Sequence, residues 1–424
     1  MTTTNACYTV TARDRAILRA LGARIAEIAV DPVNVERRRL WKQLNALHAE
    51  RPMVLTETGG VITETMPVSA LECAGEWARG IERGLRDRIF YFEQVGDDMV
   101  VEARVTYGHV VRHDGYGVPD EVHRGDDGDG HGSYVWEAPL RELPKDLDKL
   151  HPRRYTCDPD ATARLGEALE AVFDGVLPVE NRGNYWWTQG LTWSAIRLVG
   201  LEGFMMAMYD QPEGLHALMA FLRDDHLAVL DWFEAHGLLT PNNEDDYIGS
   251  GGRGHTDLLP RADWTPGTPC RIADLWGLSE SQETVSVSPA MFEEFVFPYQ
   301  VPVISRFGFA CYGCCEPVDQ RWHIIKRLPN LRRVSISPWS NVAVMAEQLG
   351  GSYVFSRKPN PAYISSRWEE DVIRRDLRET LVDTHAHGCN VELVMKDVHT
   401  LCGEPDRLGR WVQIAREVID DVYG

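Results

Sequence analysis

From Gly308 onward the chain repeats one unit four times: a short apolar run, a polar turn, then a segment with apolar residues at helical spacing. The runs are 309–312, 331–336, 352–356 and 391–396, and the helical segments are 319–328, 341–349, 368–387 and 405–422. A run that is apolar on both faces suits a parallel strand buried between layers. Parallel neighbours need a crossover, usually a helix, so the repeat builds either a doubly wound sheet or a closed barrel. Further strands are expected at 52–57, at 99–107 and near Tyr185, Tyr247 and Ile272. About nine candidates suit an eight-stranded barrel with one to spare, and no Gly-x-Gly-x-x-Gly follows any of them. The expected fold is α/β, a (β/α)8 TIM barrel.

The chain has 424 residues, 44% hydrophobic and 25% charged, enough for a sizeable core, and 1–424 is read as one barrel domain. Residues 1–90 read as an N-terminal helical extension. Segment 13–30 carries Ile17, Leu18, Leu21, Ile25 and Ile28 on one face. Asp31-Pro32 stops that helix and starts the next, with Asp as N-cap and Pro at the first position. A third helix is expected over 70–88. Residues 108–148 read as an insertion or lid near the mouth, with the Asp/Gly-rich run 124–130 at its centre. That run lacks the spacing and terminal Glu of a calcium loop and is read as a turn.

A formal charge of -20 repels phosphate backbones and argues against nucleic acid as a partner. No apolar run reaches membrane-span length, and the N-terminus lacks the basic start and apolar core of a signal peptide. A cytoplasmic location with reduced thiols is expected. The nine cysteines, an odd number, argue against a disulfide framework.

Barrel enzymes carry their chemistry just past the C-terminal ends of strands. Here those positions hold Tyr312-Gly313-Cys314-Cys315-Glu316, Ser337-Pro338-Trp339, Arg357-Lys358-Pro359 and Lys396-Asp397-Val398-His399. Thiolates at a strand end suit zinc. Adjacent side chains diverge in extended backbone, so one of Cys314 and Cys315 is the better ligand and a distant residue completes the site. Cys389, at the entrance of the last strand, is a candidate; the competing reading of each cysteine is a small buried hydrophobe. Lys358, Lys396 and Asp397 could fix a carboxylate or buffer a proton, or simply pair with each other. Tyr185, Trp187, Tyr247, Trp276 and Trp339 fall near strand ends and could wall a pocket for a methylated aromatic or cationic substrate; each alone reads equally as core.

Several of these stretches resemble one family. Asp274-Leu275-Trp276-Gly277, Val287-Ser288-Pro289, Tyr312-Gly313-Cys314-Cys315-Glu316-Pro317, the run from Pro329 to Trp339, Lys358-Pro359-Asn360-Pro361 and Lys396-Asp397-Val398-His399-Thr400 are similar to the uroporphyrinogen-decarboxylase-like superfamily. The Arg-x-Arg-Pro-Pro-x-Trp-type signature of its decarboxylases is missing, which leaves the resemblance on the methyltransferase side. Those enzymes hold zinc with His-x-Cys and a later Cys. The resemblance implies Cys314 and Cys389 as ligands. Tyr312 stands where the His would be, and Glu316, Cys315 or His255 is left to fill the vacancy.

The implied function is transfer of a methyl group from a small methylated substrate to a corrinoid on a separate protein, with zinc as Lewis acid. On this reading Glu316, Lys358, Lys396 and Asp397 are catalytic, and Tyr312 joins the substrate-binding aromatics. Two alternatives stand beside it: a lyase acting on a small carboxylate, and a non-catalytic binding barrel. A homodimer is compatible with all three.

Overall fold

The computed structural model describes residues 8–119, 121–124 and 134–424. Its centre is a sheet of six parallel strands: β1 (Met53–Thr56), then, after four strands introduced below, β6 (Trp276–Ser279), β7 (Phe309–Tyr312), β8 (Leu331–Ile336), β9 (Val354–Arg357) and β10 (Asn390–Met395), in the order β1-β10-β9-β8-β7-β6. Every pairing is parallel, so all six strands end on the same side. The four repeated strands form, but the expected helix at 319–328 is only a 3-10 turn, Asp319–Arg321, and one helical turn, Trp322–Ile325. The expected strand at 352–356 starts two residues late, because Gly350–Ser352 forms a 3-10 turn.

Helices cover the outer face. The last, Arg407–Tyr423, buries Leu408, Trp411, Val412, Ala415, Val418 and Ile419, an apolar stripe at helical spacing that packs on β1. The extension forms as helices Ala12–Ala29, Pro32–Asn45 and Glu76–Phe90, with Asp31 capping Val33 N as its sequence predicts. Leu18, Ile25, Leu85, Val101 and Phe173 make a second, smaller core there.

An unbroken eight-stranded ladder does not form among the described residues. The strands β2 (Val105–Tyr107) and β3 (Val179–Asn181) pair in parallel only with each other. Side chains cover both edges of the six-stranded sheet instead. At β1, Val54 N donates to Asp98 Oδ2 at 2.8 Å while Asp98 N donates to Val54 O. At β6, Asn242 exchanges two bonds with the Trp276 backbone, at 2.9 and 3.0 Å. Each substitutes for a neighbouring strand and satisfies the edge groups.

A hairpin, β4 (Tyr247–Gly249) and β5 (Gly252–Arg253), lies against the inner face of the sheet. Ser250 Oγ sits 3.2 Å from Ser335 Oγ on β8. A side chain at Gly252 would collide with the Arg333 guanidinium, so the approach requires glycine. Strand alternation puts Arg333, Ser335, Ser356 and Glu392 on this inner face, and Lys358 and Lys396 follow in phase. The sheet thus presents a polar interior, although its strands read as apolar.

The insertion starts with Val110–His113, paired antiparallel with Tyr155–Asp158, and continues into the pair Val122–Arg124 and Tyr134–Trp136. The Asp/Gly-rich stretch 125–130 lies outside the described residues. No helix among the described residues is long and apolar enough to cross a membrane.

Candidate functional site

Two turns at the C-terminal side of the sheet make the centre. After β7, Gly313 takes φ 92°, which glycine accepts and which breaks the strand alternation. Alternation within β7 points Tyr312 toward the helices, its hydroxyl 3.0 Å from Gln300 Oε1 and 3.3 Å from Ser281 Oγ, and the turn at Gly313 brings Cys314 inward. After β10, Asp397 holds φ 59°, a left-handed conformation uncommon outside glycine. Strained backbone of this kind gathers at functional sites.

Between the turns the Cys314 sulfur lies 3.4 Å from Lys396 Nζ and 3.6 Å from Cys315 Sγ. Cys315 Sγ in turn lies 3.7 Å from Asp397 Oδ2, and Lys396 Nζ lies 3.3 Å from the same oxygen. The sequence predicts that the two cysteines diverge, leaving one of them as the better ligand. They converge instead, because residues 313–316 bend rather than extend, and Cys315 is exposed.

The pair carries one charge, on Cys314. The hydrogen bond from Cys315 and the Lys396 ammonium pull the Cys314 thiol down to about 7, against burial and the Glu316 charge. Cys315, donating to it, is pushed up. Burial opposes it, but the charges of Cys314 and Asp397 beside it raise Lys396 and hold it protonated. Burial raises the Glu57 carboxyl, just past β1, and raises Glu280, just past β6, where Glu283 and Glu316 add to it.

Glu316 is fully enclosed and accepts from Ser281 N at 2.8 Å and Cys314 N at 2.9 Å. It fixes the turn that aims Cys314 and is a positioning residue. Lys358, drawn down to about 8 by burial, donates to Ser356 Oγ, which donates to Glu392. Its charge reaches Cys314 and Lys396 without contact.

Other expected members lie elsewhere. Cys389 stands before β10, seven residues upstream of Lys396, and therefore roughly 20 Å from Cys314 along the strand. Its sulfur donates to Ala346 O at 3.4 Å, and burial pushes the thiol up to about 12. All strands run one way, so a residue at a strand's entrance cannot meet one at a neighbour's exit. The same geometry removes Trp276, the first residue of β6, whose indole donates to Gly254 O. It also removes His255 beside it, enclosed 3.7 Å from Asp245 Oδ1. Trp339 is on the right side but 70% exposed. Tyr247 does reach the mouth, where it feels Glu57 and Lys396, and Trp187 lies close to it.

A catalytic zinc needs about three protein donors on one point. Among the described residues no group of three His, Cys, Asp or Glu converges in that way. The cation facing Cys314 is the Lys396 ammonium itself. The donor set does not fit zinc.

What remains is a lysine-paired thiolate, a nucleophile available at neutral pH. Alkylation of Cys314 by iodoacetamide, mapped by peptide mass spectrometry, is expected to titrate with a midpoint near pH 7. A lowered pKa means that reactivity is present above about 7 and lost on acidification through it. A midpoint near the ordinary thiol value would contradict the pairing.

No protein-family model matches the chain, and no curated protein matches it. Among solved structures, a methyltransferase from Methanosarcina mazei matches with a TM-score of 0.47 and 12% identity, over 91% of this chain and 98% of that one. A likeness that distant carries nothing about chemistry, and the superfamily resemblance stands on its motifs.

Proposed function

We propose that this protein is a methyltransferase in which the Cys314 thiolate takes the methyl group from a small methylated substrate. The observation that carries the reading is the sulfur of Cys314 held 3.4 Å from the Lys396 ammonium at the strand ends. In the transfer the S–CH3 bond forms as the bond from methyl to the substrate heteroatom breaks. The electron pair leaves on the heteroatom, which takes a proton. Glu57, just past β1, whose carboxyl burial raises and whose charge Lys396 feels, supplies it. Lys396 stabilises the attacking charge, and Glu316 holds the turn.

The second half of the cycle returns Cys314 to thiolate by passing the methyl group on. The resemblance supports a corrinoid on a separate protein as the acceptor, since a cobalt(I) corrinoid is a strong enough nucleophile to take it. Zinc is left out because the donors do not converge.

The test offers a panel of small O-, N- and S-methyl compounds to the full chain with a free cobalt(I) corrinoid, following loss of the cobalt(I) absorbance. At least one donor is expected to react, at a rate unchanged after dialysis against a chelator. A rate that chelation abolishes and added zinc restores would contradict the metal-free thiolate.

A further inference from the structure

Methyl transfer uses Cys315 only as a donor to Cys314, yet its placement equips it for more. Its sulfur stands 3.6 Å from that of Cys314 and 3.7 Å from Asp397 Oδ2, and the residue is exposed. Disulfides form when a thiolate takes the oxidant and a neighbouring thiol resolves the product. Here both parts sit side by side, with a carboxylate next to the resolving thiol and the Lys396 ammonium 3.4 Å from the attacking sulfur. Elsewhere burial protects the thiols: Cys73, Cys270, Cys311 and Cys389 are each pushed up to about 12.

We infer that Cys314 and Cys315 form a reversible disulfide with each other when the chain meets a hydroperoxide. Cys314 is 3% exposed, which favours a small hydroperoxide over a bulky disulfide as the oxidant. In the first step the Cys314 sulfur attacks the peroxide, an S–O bond forms, and the O–O bond breaks. The departing oxygen takes a proton and leaves as water or an alcohol, and Cys314 becomes a sulfenic acid. In the second step the Cys315 sulfur attacks that of Cys314. The S–S bond forms as the S–O bond breaks, the oxygen leaves as water, and Asp397 is placed to take the Cys315 proton. The two sulfurs together give up two electrons, which reduce the peroxide. The hydrogen bond to Cys314 is the first cause that pushes the Cys315 thiol up, so oxidising Cys314 removes it and frees Cys315 to react.

The product is a switch rather than a staple. Ordinary disulfides join Cα atoms roughly 4.4–6.8 Å apart, whereas consecutive residues hold theirs at about 3.8 Å. The ring that two adjacent cysteines close is therefore strained, and a strained, exposed disulfide is readily reduced. The disulfide itself does not depend on the transfer reading; only its consequence, withdrawal of the methyl-accepting sulfur, rests on it.

The test treats the full chain with one equivalent of hydrogen peroxide in the presence of a chelator, with no methyl donor or corrinoid. The remaining thiols are then trapped with N-ethylmaleimide under denaturing conditions, and peptide 307–321, which holds Cys311, Cys314 and Cys315, is weighed. It is expected to lose the mass of two hydrogen atoms and to carry one maleimide, on Cys311. Dithiothreitol before trapping is expected to restore all three thiols, and with them the reaction of native Cys314 with iodoacetamide. In Cys315→Ser the sulfenic acid of Cys314 is expected to persist and to be captured by dimedone. Passage of Cys314 to a sulfinic acid with Cys315 still free, a disulfide to any other cysteine, or two unaltered thiols would overturn the inference. These outcomes are read in the unaltered protein and need no variant to fold. A chain that forms the disulfide but never moves a methyl group would contradict the transfer reading alone.

Discussion

Cys314→Ser is expected to abolish methyl transfer, by ~10³-fold or more, with the fold intact. Serine keeps the shape and the place of the sulfur, but its hydroxyl does not ionise near neutrality, so Lys396 faces a neutral group and no nucleophile forms. Cys315→Ser is the control. The Cys315 hydrogen bond is the largest single cause of the lowered Cys314 pKa, ahead of the Lys396 charge. Its loss is expected to move the pH profile upward and to cost about tenfold at pH 7 for each pH unit the profile moves, without abolishing transfer. Rates for both variants across pH, with circular dichroism for the fold, check this. Equal loss in the two would mean that the dithiol acts as a unit rather than through Cys314.

The largest loss of stability is expected from Arg333→Ala. Arg333 is enclosed inside the sheet, its guanidinium 3.2 Å from Glu392, 2.6 Å from Asn45 Oδ1 and 5.5 Å from the Trp276 ring. Glu392 has no exposed surface, and its other partner is Ser356. Removing the arginine strands a buried carboxylate, which costs about 3–5 kcal/mol. Arg333→Met, which refills the volume, leaves the same charge uncompensated and is expected to recover only the packing share. The double change Arg333→Met with Glu392→Gln is expected to restore most of the loss, since the cost lies in the unpaired charge. Guanidinium midpoints for the three variants decide it, and a loss below about 1 kcal/mol in Arg333→Ala, typical of an exposed pair, would show that the interior is wetter than its packing implies.

The repeated half of the fold was legible because each strand there is a short apolar run closed by a turn and followed by a helical stripe. The edges were not. Asp98 and Asn242 complete the sheet with side chains, and no periodicity marks a carboxylate or an amide that imitates a strand. At the sheet's C-terminal side, the rule that chemistry follows a strand's end pointed to Cys314, Lys358, Lys396 and Asp397, which the fold brings to one end of the sheet. Applied to β1 and β6, the same rule would have found Glu57 and Glu280. The residues placed wrongly share one cause: Cys389 and Trp276 lie at strand entrances, His255 lies beside Trp276 at the same end, and direction along the strand decides which end of the sheet a residue reaches. Tyr312, placed with the substrate-binding aromatics, faces the helices instead, because Gly313 ends the alternation one residue later and only Cys314 turns inward.

The central claim is that the methyl group rests on the sulfur of Cys314 between donor and acceptor. Peptide mass spectrometry after incubation with a reactive methyl donor, and with no acceptor present, measures this directly. The Cys314–Cys315 peptide is expected to gain the mass of one CH2, located by fragmentation on Cys314, and to lose it when a cobalt(I) corrinoid is added. Methyl transfer to the corrinoid at an undiminished rate, with Cys314 never modified, would contradict the account.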